Sequence, residues 1–202
     1  GYDVDFARQP GVGLIDLPSG VTSPALAFDD AANTWAYRAT GNNNQVQTAN
    51  ALNRENAVLF GTLDLGAVRL INTVDLHLYD GDNRQYYNFI VEVADASKTN
   101  WVKVFDGTNS GKDYQGLQQI TFPQDMNVRY IRVYLSGSTE NATAHIEGIS
   151  AYRNSNVNYA SQLLGSRVLS NYAAASLGWS KVGTSAVYNG ISSAYAPLIY
   201  DT

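Results

Sequence analysis

Two short stretches gather aromatic rings beside polar and charged side chains. The first holds Trp35, Tyr37 and Arg38, followed by Asn42, Asn43 and Asn44. The second reads "YDGDNRQYY" and holds Asp80, Asp82, Asn83, Arg84, Tyr86 and Tyr87. Flat rings lie well against the apolar face of a sugar, and a few fixed polar groups can read its hydroxyls. Taken singly, each residue has a plainer reading. Trp35 and Tyr87 fit core packing, and Asp82 with Arg84 fits an ion pair that braces a loop. The set carries more weight than any member, because binding groups concentrate on loops that a rigid scaffold brings together.

Constellations for catalysis are poorly represented. There is no Gly-x-Ser-x-Gly elbow, no phosphate-binding loop and no cysteine nucleophile. Asp29 and Asp30 are an acidic pair, and a glycosidase needs two carboxylates. The absence of cysteine excludes disulfides and thiolate metal sites. With only His77 and His145, a multi-histidine zinc site cannot form. Thirteen basic against eighteen acidic residues leave a net charge of −5. That balance argues against nucleic acid, whose binders present a basic face, and against charge-driven attachment to anionic lipid. No run of eighteen apolar residues is present, so no helical membrane insertion is expected. No signal-peptide pattern opens the sequence. Asn141-Ala142-Thr143 matches a glycosylation sequon, a triplet common by chance.

The elements that must position these residues are strands. In "VRYIRVYLSG", Ile131, Val133 and Leu135 share one face while Tyr130, Arg132 and Tyr134 share the other. In "INTVDLHLYD", Val74, Leu76 and Leu78 alternate with Asp75, His77 and Tyr79. "YYNFIVEVAD" places Tyr87, Phe89, Val91 and Val93 together. "AVLFGTLDLG" reads as a strand ended by a glycine turn, "WVKVFDG" ends on Asp-Gly, "LQQITF" stops before Pro123, and "AHIEGISAY" closes the series. Short strands with polar turns and no convincing helix between them predict an all-β antiparallel sandwich. Residues 1–20 are read as an N-terminal extension, 21–153 as the sandwich and 154–202 as a C-terminal extension.

The extension differs in composition. Residues 156–202 contain only Arg167, Lys181 and Asp201 as charged side chains. Leu164, Val168 and Tyr172 recur at helical spacing, which predicts one weak amphipathic helix. A charge-poor segment rich in aromatics is unlike a solvated disordered tail. It is expected to pack on the sandwich or on protein subunits of a homo- or hetero-oligomeric assembly.

The ordered set "ALAFDDAANTWAY", "LDLG", "INTVDLHLYDGDNRQYYNFIVEVAD", "WVKVFDG", "VRYIRVYLSG" and "HIEGISAY" resembles the discoidin, or coagulation factor 5/8 type C, family over roughly residues 20–153. Asp64-Leu65-Gly66, Val128 to Arg132 and Glu147 are its most specific parts. The resemblance implies a jelly-roll, galactose-binding-like β-sandwich, usually a non-catalytic appendage. It further implies a calcium ion held near the ligand end by Asp29, Asp30, Thr34 and Glu147, although Ala31 stands where the family usually has a carboxylate. Hard oxygens of this kind suit calcium. Arg129 and Arg132 are then structural, pairing with acids such as Asp64 or Glu147.

Two functions follow from this reading. One is a non-catalytic module that binds carbohydrate on a cell surface through Trp35, Tyr37, Arg38, Asn43, Asp82, Arg84 and Tyr86, and works extracellularly, on a cell or virion surface, as part of an adhesin or a virion or phage component. The other is a structural subunit of a virus or phage particle or a surface layer, without sugar binding.

Overall fold

Alternation of apolar and polar residues builds the strands, and two of them are far longer than their sequence punctuation implies. The computed structural model describes residues 4–28, 33–40, 57–108 and 110–157. Among these residues there are eight strands: β1 (Gly13–Ile15), β2 (Val21–Thr22), β3 (Ala36–Ala39), β4 (Val58–Leu78), β5 (Phe89–Ala94), β6 (Val102–Asp106), β7 (Leu117–Leu135) and β8 (Thr143–Tyr152). The remaining elements are two short 3-10 helices, η1 (Phe6–Arg8) and η2 (Pro24–Phe28). No helix is long and apolar enough to cross a membrane among the described residues.

Every pairing is antiparallel, in the order β2-β3-β8-β4-β7-β5-β6, with β1 added on β4. Straight, the 21 residues of β4 would extend about 70 Å, several times the ~15 Å radius of gyration of a domain this size. The strand therefore bends, and the bend makes two layers from one hydrogen-bonded path. The start of β4 pairs with β1 and with the end of β7, which continues into β5 and β6. The end of β4 pairs with β8 and with the start of β7, and β8 continues into β3 and β2.

The bend has a local cause. Between Asp64 and Arg69, β4 advances five residues while β7 advances two, from Tyr130 back to Val128. Gly66 lies in this bulge at φ +74, a left-handed conformation that suits glycine. Its N–H donates to Asp64 Oδ1 at 2.8 Å, and Arg129 closes on the same carboxylate at 2.9 and 3.1 Å. Bonding to Arg129, more than burial, holds the Asp64 carboxyl below its ordinary range. The Asp-Leu-Gly stretch is thus a strand bend and not the terminating turn expected from the sequence. Pro123 likewise sits inside β7, in the reciprocal irregularity where Thr121 pairs with Thr73 and Met126 with Ile71. A bulge is one of the few sheet positions that accepts a residue without an N–H.

The inward faces of the two layers meet in one core. Phe60, Leu63, Phe89, Val91, Ile131 and Leu135 come from one layer, and Val74, Leu76, Ile120, Phe122, Ile146 and Ala151 from the other. The expected alternations of β4, β5 and β7 are borne out: Ile131, Val133 and Leu135 are buried while Tyr130, Arg132 and Tyr134 are half-buried. This is the antiparallel β-sandwich anticipated. Both arginines pair with acids as expected: Arg129 takes Asp64, one of the two acids named for the pair, and Arg132 takes Glu92 at 2.5 Å, which was not named. The β5–β7 register decides this, because it sets Glu92 directly across from Arg132.

The segment read as an N-terminal extension is, from Val4 onward, built into the sandwich. Asp5 Oδ1 accepts the N–H of Ala7 and that of Ala151 on β8, Ala7 is buried in the core, and β1 pairs with β4. The chain divides into two units, Gly1–Ser155 and Asn156–Thr202. The helix expected around Leu164, Val168 and Tyr172 lies outside the described residues.

Candidate functional site

On β8, Ala144 and Ile146 point into the core, so alternation turns His145 and Glu147 to the outer face. Outward polar groups are normally wet, yet His145 is only 6% exposed and Glu147 5%. They are covered by the chain around β3 and by the turn after β4. Register places Tyr37 on β3 directly across from His145. Trp35, just before β3, packs on Tyr79 with centroids 4.1 Å apart and meets His145 edge-on at 5.9 Å. Tyr37, Tyr79 and Tyr86 lie 6.2, 5.9 and 6.4 Å from the same imidazole. His145 is the hub of an aromatic cluster.

The turn supplies the polar half. Asp80 accepts the N–H of Asn83, which adopts φ +63. Gly81 is demanded by close approach, since a Cβ there would come within 2.7 Å of Asn33 Oδ1 and 2.9 Å of the Tyr79 ring. The turn aims Arg84 back over the face, its guanidinium 4.8 Å from the centre of the Tyr79 ring. Asp82 binds it with two bonds, from Nε at 2.8 Å and from Nη2 at 2.6 Å, while Nη1 donates to His145 Nδ1 at 2.9 Å. An arginine always donates, so the ring nitrogen that takes this bond carries no proton and the imidazole is neutral. Burial and then the Arg84 charge push the His145 pKa down to about 4. Tyr86 is fully buried beneath, donating to the Tyr79 carbonyl at 3.0 Å, and burial drives its hydroxyl pKa up. Bonding to Arg84 holds Asp82 below the usual carboxylate range.

The structure thus brings together five of the expected residues: Trp35, Tyr37, Asp82, Arg84 and Tyr86. They divide by depth. Tyr37 is 39% exposed and the Asp82 side chain 41%. Arg84 is 7% exposed and Tyr86 is inaccessible, so Tyr86 supports the site from below and is no ligand contact. Arg38 is not in the cluster. Alternation sends it to the opposite face from Tyr37, where its Nη1 donates to the Leu59 carbonyl. Asn43, Asp29 and Asp30 lie outside the described residues. Tyr87 is buried, as its core reading anticipates. His145 and Tyr79 were missed as site residues. The signal was present, since both alternate out of the core, but burial of an outward histidine depends on a turn distant in sequence.

Of the expected calcium ligands, Thr34 and Glu147 are described. Glu147 Oε1 accepts the Asn33 N–H at 3.0 Å, and Oε2 lies 3.4 Å from His77 Nε2. The carboxylate is therefore set against the loop that follows the acidic pair, with a nitrogen on each oxygen. No group of three His, Cys, Asp or Glu side chains suited to a metal occurs among the described residues.

Fold and cluster define a β-sandwich with an aromatic, hydrogen-bonding outer face at the turns. The chain belongs to the F5/8 type C domain family, whose profile matches residues 17–149. Solved structures share the fold. The CBM32 of AlyQ, in complex with 4,5-unsaturated mannuronic acid, is 21% identical with a TM-score of 0.50, over 76% of this chain and 98% of its own. CpGH89CBM32-4, produced by Clostridium perfringens, is 20% identical with a TM-score of 0.51, over 74% and 99%. A GH29 fucosidase of Ruminococcus gnavus in complex with fucose is 16% identical with a TM-score of 0.55, over 76% of this chain and 27% of the fucosidase. At these identities the likeness establishes the fold. No curated protein matches the chain in sequence.

Proposed function

We propose that the chain is a non-catalytic carbohydrate-binding module acting outside the cell on surface glycans, and that Trp35, Tyr37 and Tyr79 form the platform on which a sugar lies. The observation that carries this reading is one cluster that joins an exposed ring, Tyr37, to a fixed polar group, Asp82–Arg84–His145. Rings supply apolar area and the polar group supplies direction, the two requirements of a sugar site. The fold likeness to a module solved with a sugar acid and to a fucosidase supports the same reading. A glycan array followed by calorimetry on the best hits tests it. The expected result is saturable binding that Tyr37→Ala weakens, and a chain that binds no glycan on the array sinks the reading.

Calcium is proposed as a brace for the loop before β3, held by Asp29, Asp30, Thr34 and Glu147. The buried carboxylate of Glu147 beside that loop supports it. An unchanged melting temperature with calcium and with chelator removes the metal. The low charge of residues 156–202 supports a compatible second role, contact with partner subunits in an adhesin or in a particle or surface-layer assembly. Light scattering tests it, and a monomeric mass counts against it.

A further inference from the structure

Arginine in a sugar site invites a carboxylated ligand, because its fork matches a carboxylate with two parallel bonds. Here that fork is already filled. Asp82 holds Nε and Nη2, His145 holds Nη1, and the Tyr79 ring lies against the guanidinium. Only 7% of Arg84 remains exposed, so an arriving carboxylate finds no usable face. What it meets first is Asp82, whose side chain is 41% exposed and carries the like charge. The ring of His145 is uncharged, for the reason of geometry given above. Arg38, next to Tyr37 in the chain, lies on the opposite face of β3 and bonds the Leu59 carbonyl. His77 sits on Glu147, and Asp80 turns its Oδ2 toward Gly116, where a Cβ would meet it at 2.8 Å.

We propose that Asp82 is the specificity-determining residue of this site, selecting uncharged sugars over uronic acids by occupying the guanidinium of Arg84 and presenting its own charge at the rim. The inference rests on the carbohydrate reading above and adds to it the charge class of the ligand. It also separates this chain from the AlyQ module, which was solved with an unsaturated mannuronic acid. Specificity built this way is a repulsive element set beside an attractive one. Asp82→Asn removes the repulsion and loosens the clamp, leaving a guanidinium that a ligand carboxylate can engage.

The test is a set of matched pairs titrated by calorimetry at low salt: galactose-, glucose- and mannose-type oligosaccharides, each against its uronic acid counterpart. The wild-type chain is expected to favour the neutral member of the pair it binds best by about tenfold or more, the scale of one unfavourable charge contact. Asp82→Asn is expected to narrow that ratio about tenfold, chiefly through tighter uronate binding that weakens as salt is added. Asp82→Ser repeats the measurement without an amide that could mimic the carboxylate, and circular dichroism confirms that either variant is folded. Wild-type binding of a uronate as tight as its neutral partner overturns the inference and leaves the carbohydrate reading standing. A folded variant with an unchanged ratio overturns it too. Failure to bind either member of any pair removes the carbohydrate reading itself. The wild-type ratio needs no variant, so it decides alone if both substitutions prevent folding.

Discussion

The outer faces of the two layers use the same side chains to different ends. On the layer of β5, β6 and the end of β7, Arg132 bonds Glu92 at 2.8 and 2.5 Å with the Trp101 ring 3.9 Å from its guanidinium. On the layer of β3, β8 and the end of β4, Arg84 bonds Asp82 and lies on Tyr79. Each is an arginine, a carboxylate and an aromatic ring. The first trio is spread along neighbouring strands, where register alone sets Glu92 opposite Arg132. Its parts cover one another and make a ladder that stiffens the sheet. The second is delivered by a turn onto a face that already holds an outward histidine, and it leaves a tyrosine ring and a carboxylate at the surface. Motif chemistry is shared between the two faces, so the route by which the chain delivers each group decides between bracing and binding.

That contrast can be broken or sharpened by measurement. The largest effect is expected from Tyr86→Ala beneath the candidate site. Truncating a fully buried aromatic costs about 3–5 kcal/mol in urea denaturation, while Tyr86→Phe, which loses the hydroxyl's contacts with the Tyr79 carbonyl and His145 Nδ1, costs about 1 kcal/mol. Equal, small losses for both would mean the turn is not anchored through Tyr86.

Acid should act next, through His145. Its pKa is depressed in the folded state, to about 4 from 6.5, so the unfolded chain takes up the proton first. The stabilisation is full above pH 6.5 and is lost as pH falls toward 4, about 3 kcal/mol at the limit. His145→Gln removes this part of the pH dependence and leaves the carboxylate part that sets in lower. Parallel slopes for wild type and variant between pH 7 and 4.5 would place the histidine in contact with water.

Arg132→Ala and Arg84→Ala compare the faces directly. Losing a charge-assisted pair on a partly exposed sheet is expected to cost about 1–2 kcal/mol for Arg132 with glycan affinity intact. Arg84→Ala should abolish glycan binding at a comparable stability loss. Loss of binding in both variants would erase the distinction between the layers. The smallest stability effect belongs to Tyr37→Ala, within about 0.5 kcal/mol for an exposed ring. The same variant should lose about tenfold in glycan affinity, the scale of one stacked ring.

Strand faces were legible in the sequence because a side-chain period of two is a local property. Ile131, Val133 and Leu135 against Tyr130, Arg132 and Tyr134 needed no tertiary information. Punctuation was less legible. Gly66 and Pro123 mark ends in an isolated strand, but pairing with a partner absorbs both as bulges, and only that pairing tells a turn from a bend. Glu92 was not among the acids named as partners for Arg129 and Arg132, for the same reason, since no local rule sets the register of one strand against another.

Composition and alternation by themselves determined an antiparallel sandwich without cysteine chemistry, and they supplied the rings and charges of two candidate loops. Tertiary structure alone decided which of these meet. It set Arg38 aside on the far face, brought His145 and Tyr79 into the cluster, and sank Tyr86 below it. Periodicity fixes the direction of a side chain relative to its own strand, whereas its partners and its burial depend on segments that only the closed sandwich places beside it.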